Sequence, residues 1–97
     1  MSSTKAASMQ VKIELRNLIG NPTGIPGDVE YVAELFVDGA KAGTVACKDS
    51  GGDWPNVTAT NLLLVQKARN WVRSEVGDTH GYALEAYIEN LAKGELL

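Results

Sequence analysis

From Met9 to Arg16 the chain alternates without interruption: Met9, Val11, Ile13 and Leu15 are apolar, while Gln10, Lys12, Glu14 and Arg16 are polar. In an extended backbone every second side chain points to the same face, so this stretch predicts a half-buried β-strand reaching about Leu18. The next ten residues, 19–28, hold two prolines and three glycines. Neither a helix nor a central strand accommodates that composition, and the segment is expected to be a long, mostly irregular connection.

Alternation returns at Val29. Val29, Tyr31, Ala33, Leu35 and Val37 fall on one side and Glu30, Val32, Glu34 and Phe36 on the other, which predicts a second strand. Asp38-Gly39 follows, a turn signal because both residues tolerate positive φ, and the chain resumes as "AGTVACKD". The spacing predicts a hairpin with its loop from Asp38 to about Lys41 or Ala42.

Beyond Thr60 the period changes. Leu64, Val65, Ala68, Trp71, Val72 and Val76 share one face of a helix, with Thr58 or Thr60 as its N-cap and Gly77 as its stop. A second helix follows, capped by Asp78 or Thr79, with a buried stripe of Leu84, Tyr87, Ile88 and Leu91 and an end at Gly94. The expected order is β-β-β-α-α, an α+β fold with a three-stranded antiparallel sheet and both helices on one of its faces. Residues 1–8 are expected to be a flexible polar leader, and residues 9–97 a single domain.

That architecture leaves one sheet face without a helix. It carries Lys12, Glu14 and Arg16 from the first strand and Glu30, Val32, Glu34 and Phe36 from the second. Beside it the sequence places the loop "KDSGGDWPNVTAT", Lys48–Thr60, read as a turn out of the sheet. Gly51 and Gly52 supply the backbone freedom for the reversal. Asp53 and Trp54 have side chains the reversal does not require, and they are the loop's candidate contact residues.

Composition narrows the classes of function. The chain has 97 residues, 44% of them hydrophobic and 22% charged, a net charge of −3 and an isoelectric point near 5.0. No apolar run approaches the roughly 18 residues needed to cross a bilayer. The polar start "MSSTKAAS" lacks the apolar core of a secretory signal, and the one cysteine, Cys47, has no disulfide partner within the chain. A cytoplasmic protein is expected, with no role at a membrane.

Candidate chemistry is sparse. His80 and Cys47 are solitary, and no serine stands in a G-x-S-x-G context, so no catalytic triad assembles and no enzyme is expected. Cys47 reads as a small buried hydrophobe and His80 as a residue of the junction between the helices. No Cys-x-x-Cys or His-x-x-x-His is present, and Asp49 with Asp53 supplies too few oxygen ligands for calcium, so neither metal nor cofactor is expected. The Gly-Gly loop could present N–H groups to an anion, which leaves a small-ligand or nucleotide binder as an alternative, although the P-loop ending and the Rossmann spacing are absent.

A further alternative is RNA. "YVAELFVDGAKAG" followed by a helix with Gln66, Lys67, Ala68 and Arg69 resembles the central hairpin and last helix of double-stranded-RNA-binding domains. Members of that family begin with a helix and open the last one with a lysine cluster, whereas this chain begins with a strand and opens its helix with "TATNLLL". Arg69 and Arg73 form a local basic stripe with Gln66 and Asn70, but an acidic chain gives no overall attraction to phosphate.

The succession "VKIELRNL", "YVAELFVDGAKAGTV" and a Gly-Gly-aromatic loop resembles small proteins encoded by phages and bacterial mobile elements. At the level of class it also resembles anti-CRISPR and related anti-defence inhibitors, which act by occupying a surface of a host complex. The resemblance implies a non-enzymatic protein-binding module with a protein partner in a bacterial cytoplasm, and it transfers no catalytic residue. A homodimer is a second form of association that the uncovered face suggests.

Overall fold

The computed structural model describes residues 11–26, 28–48, 54–76 and 81–96. Its elements are β1 (Ile13–Pro22), β2 (Val29–Val37), β3 (Ala40–Cys47), β4 (Asn56–Ala59), α1 (Leu62–Val76) and α2 (Ala83–Leu96). The strands form one antiparallel sheet in the order β1-β2-β3-β4, each paired with its neighbour in sequence. The α+β class holds, but the expected three-stranded sheet has four strands. The expected leader, residues 1–8, lies outside the described residues.

β1 is longer than its alternation suggests, because it passes through a bulge. Asn17 has φ 54, and the pairing with β2 jumps from Arg16↔Glu34 to Ile19↔Val32. Asparagine tolerates that left-handed conformation better than most residues. The irregularity reverses the strand's parity: Val11 and Ile13 are buried with Leu15 half-buried, and beyond it the inward side passes to Leu18 and Gly20 while Ile19 turns out. The strand continues to Pro22, so the irregular connection expected from residue 19 shrinks to a short loop. Asp28 closes that loop, its carboxylate accepting from Thr23 Oγ1 at 2.8 Å and its backbone N–H donating to the Ile25 carbonyl at 3.0 Å.

β2 follows its period of two as expected, with Val29, Tyr31, Ala33, Leu35 and Val37 all buried. Asp38 and Gly39 have φ of 53 and 85, the pair of positive angles that a two-residue hairpin turn requires. Ala40 already pairs with Val37, so the loop is shorter than the expected reach to Lys41 or Ala42. Asp38 also joins three elements. Its backbone N–H donates to the Lys12 carbonyl at 2.8 Å, its Oδ1 accepts the Lys12 N–H at 3.0 Å, and its Oδ2 lies 2.6 Å from Lys67 Nζ on α1. The Lys12 N–H first, and then Lys67, hold the Asp38 carboxyl below the usual carboxylate range.

The segment read as a loop up to Thr60 contains β4, which pairs with β3 from Gly43↔Ala59 to Ala46↔Asn56. Thr58 is therefore a strand residue, and the Thr60 N–H donates to the Ala42 carbonyl at 2.9 Å. Neither caps α1. That role falls to Asn61, whose Oδ1 accepts the Leu64 N–H at 3.3 Å.

α1 buries Val65, Ala68 and Val72 and half-buries Leu64 and Trp71, the face its period indicates. Gly77, Asp78 and Thr79, expected at the helix ends, lie outside the described residues. α2 buries Ala83, Leu84, Ile88 and Ala92, with Tyr87 and Leu91 packed at the margin, and it runs past Gly94 to Leu96. The helices are tied by a forked Arg69–Glu85 ion pair at 2.8 and 2.9 Å and by an edge-on Trp71–Tyr87 contact with ring centroids 5.9 Å apart. The inward side chains of β1, β2 and β3 and the buried faces of both helices form one core. Both helices thus cover the same face of the sheet.

Candidate functional site: the open face of the sheet

The opposite face of the sheet displays the residues the alternation assigns to it, and the pairing register arranges them in rows across the strands. At the hairpin end the rows are charged. Arg16 lies opposite Glu34, its guanidinium carbon 4.0 Å above the centre of the Phe36 ring and one of its nitrogens 3.1 Å from Glu14. Lys12 Nζ stands 3.7 Å from Glu14, and Lys41 Nζ 3.1 Å from Glu34. Asn17 Nδ2 donates to Glu34 Oε1 at 2.6 Å.

Hydrogen bonds from Lys41 and Asn17 favour the ionised form of Glu34 and lower its pKa. This end is therefore a network of mutually paired charges. Phe36 is half-buried beneath Arg16 rather than open to a partner.

The other end of the face is apolar. Ile19 pairs with Val32, and Val32 with Ala46, so the three side chains form a continuous row across β1, β2 and β3. Ile19 is 63% exposed and Val32 51%. Beside this row Asn21 pairs with Glu30, and a shallow groove of about 440 Å³ runs along Asn21, Glu30, Val32, Ala46, Lys48 and Asn56. Among the described residues neither Glu30 nor Lys48 forms an ion pair with another side chain. Large exposed aliphatics flanked by charges that form no ion pair among the described residues distinguish this end from the self-satisfied network at the hairpin.

The candidate residues of the loop are placed differently. Trp54 is 44% exposed and stacks on Tyr82, with ring centroids 5.9 Å apart and planes inclined by 23°. Tyr82 directly precedes α2, so the stack joins Trp54 to the helical layer rather than to the row at Val32. Asp53, with Asp49, Gly51, Gly52 and His80, lies outside the described residues.

Cys47 is buried in β3 at 4% exposure, beside Tyr31 in the register. The Tyr31 hydroxyl is enclosed without an oxygen or nitrogen partner. Burial above all, and then the neighbouring Cys47 and Glu89, raise its pKa. Arg69, central to the basic stripe considered for RNA, is occupied by Glu85. Among the described residues no group of three or more His, Cys, Asp or Glu side chains is placed to hold a metal ion.

Ile19 and Ala46, which complete the apolar row with Val32, are absent from the residues the sequence singles out. Ile19 follows Arg16 by three positions and would face inward in an unbroken strand; only the bulge turns it out. The order Asn17-Leu18-Ile19, an αL-tolerant residue followed by two adjacent aliphatics, is the signal a bulge leaves. No helix among the described residues is long and apolar enough to cross a membrane. No protein-family model matches the chain, and no curated protein and no solved structure matches it.

Proposed function

We propose that this chain is a non-enzymatic protein-binding module whose contact surface is the open sheet face, centred on the row Ile19, Val32 and Ala46. The observation that carries the reading is the exposure of Ile19 and Val32 side by side on a sheet face that no helix among the described residues covers. Burying such a row against a partner contributes about 25 cal/mol per Å² of apolar surface, while Glu30 and Lys48 at its margin select partners by charge. The paired charges around Phe36 frame the contact more than they drive it, because exposed ion pairs of this kind contribute little.

The resemblance to phage-encoded anti-defence inhibitors supplies a class of partner, a host protein complex whose surface the module would occupy. The test is capture from a bacterial lysate on immobilised wild type, Val32→Lys and Gln66→Lys. A stoichiometric protein retained by wild type and Gln66→Lys but lost from folded Val32→Lys supports the reading. Equal retention by all three refutes it.

A further inference from the structure

The register that builds the open face also determines what a second copy of it would meet. β2 and β3 are the two central strands, and on this face their side chains stand opposite one another as Val32 with Ala46, Glu34 with Thr44 and Phe36 with Lys41. The pairing reaches Tyr31↔Cys47, so the next two residues, Glu30 and Lys48, complete the series on the same face. Each pair joins unlike groups: large with small, acid with hydroxyl, ring with ammonium, acid with base. Glu30 and Lys48 form no ion pair among the described residues, whereas Arg16, Glu34 and Lys41 at the hairpin end are all paired within the chain.

Two such faces can be brought together about a twofold axis that lies between them, parallel to the strands and over the seam of β2 and β3. The rotation exchanges the two sides of the seam. Each β2 side chain of one copy therefore faces, in the other copy, the β3 residue that is its own register partner. Val32 meets Ala46 of the second copy and Ala46 meets its Val32, so a large side chain lies over a small one on both sides of the axis. Glu30 meets Lys48 of the second copy, and Lys48 its Glu30. No like charges face each other along the seam, and the strands of the two sheets run in one direction, as in aligned sheet packing.

We infer, on the reading of this face as the contact surface, that it is covered in the isolated protein by a second copy of the chain, in a twofold face-to-face dimer with Glu30 and Lys48 paired between copies. An isologous contact requires a surface that complements itself, and an acid and a base exchanged by the axis meet that requirement. A foreign surface would have to bring an apolar row bounded by opposite charges in matching order. This face brings that arrangement to itself. The dimer buries the row of Ile19, Val32 and Ala46, so a foreign partner has to displace the second copy. Ile19 and Val32 are the only large aliphatics that the row exposes, which makes the contact small and the dimer weak.

Sedimentation equilibrium from about 20 μM to about 1 mM, the range that a small interface calls for, tests this. The wild type is expected to rise from the 10.3 kDa of the monomer towards twice that mass. Glu30→Lys sets base against base across the axis, and Lys48→Glu sets acid against acid. Each is expected to keep the circular dichroism of wild type and to weaken dimerisation at least about tenfold. In an equimolar mixture of the two variants, every contact between unlike copies is again acid against base. The mixture is expected to dimerise at concentrations where either variant alone is monomeric, and Gln66→Lys, on α1, is expected to dimerise like wild type. A wild type that stays monomeric throughout, single variants that dimerise like wild type, or a mixture that stays monomeric would overturn the inference. Each of these results is separable from failure of the contact reading itself, which the lysate capture on wild type and Val32→Lys decides.

Discussion

Substituting alanine at Gly43 and at Gly20 makes the same chemical change at two strand positions, with unequal expected costs. Neither glycine has a positive φ, so backbone strain does not enter. A Cβ on Gly43 would run into the Thr58 carbonyl oxygen and would stand 3.1 Å from both Ala59 Cα and Thr58 C. All three are main-chain atoms of β4, and no rotamer change moves them. The strand itself has to shift, an overpacking cost of about 1–3 kcal/mol. The lower entropy of an unfolded chain with alanine offsets roughly 0.4–1 kcal/mol of that.

A Cβ on Gly20 would stand 2.5 Å and 2.9 Å from the two terminal methyls of Leu96. Leu96 is the last residue of α2, and its side chain can rotate away. The net effect there is expected to lie within about 0.5 kcal/mol of zero. Urea denaturation followed by tryptophan fluorescence and circular dichroism measures both. The expected result is a lower midpoint for Gly43→Ala alone, with increased hydrogen exchange confined to β4. Equal losses, or a larger loss at Gly20, would refute the reasoning and with it the close β3–β4 approach.

Trp71→Ala is expected to cost about 2–3 kcal/mol in chemical denaturation, below the full aromatic truncation because the ring is only half-buried against Tyr87; a loss under about 1 kcal/mol would contradict its place at the core margin. Asn61→Ala removes the cap of α1 and is expected to cost about 0.5–2 kcal/mol, whereas Thr60→Ala leaves the cap intact, a difference that thermal melting resolves. Glu89 has one buried carboxylate oxygen without a partner, and burial raises its pKa despite Lys93. A raised folded pKa means that stability is highest below the unfolded value and falls as pH rises through the folded one. Glu89→Gln is therefore expected to flatten that fall, as midpoints measured between about pH 4 and 8 will show; an unchanged pH profile would count against it.

How far the sequence speaks for the structure depends on the length and regularity of each element. β2 is legible because nine residues keep one period and end at Asp38-Gly39, where positive φ is inexpensive. The two helices are legible from the spacing of Val65, Ala68 and Val72 and of Leu84 and Ile88. β4 is hidden: Asn56-Val57-Thr58-Ala59 is too short to show a period, and it lies between a proline and a helix cap. Its existence depends on long-range pairing with β3, which local pattern does not encode.

The second half of β1 is masked by Gly20 and Pro22, residues that suggest a loop, although an end strand with a bulge accepts both. The charged part of the open face, Lys12, Glu14, Arg16, Glu30 and Glu34, can be read directly from alternation. The apolar row cannot, since Ile19 reaches it only through the bulge and Ala46 only through the register of β3. Phe36 illustrates a different limit. Alternation places it on the open face, but its cover by Arg16 depends on a rotamer.

The central claim is that the row Ile19, Val32 and Ala46 is the contact surface. Its most direct test is the affinity of the captured partner for wild type, Val32→Ala, Val32→Lys and Gln66→Lys, measured by titration calorimetry on proteins of equal helical content. Contacts at the centre of an interface commonly cost more than about 1 kcal/mol on truncation, which is at least fivefold in affinity. The account predicts that loss for Val32→Ala, a larger one for Val32→Lys, and wild-type affinity for Gln66→Lys. Wild-type affinity in both Val32 variants, or a loss at Gln66 alone, would contradict it and move the contact surface from the sheet to the helices.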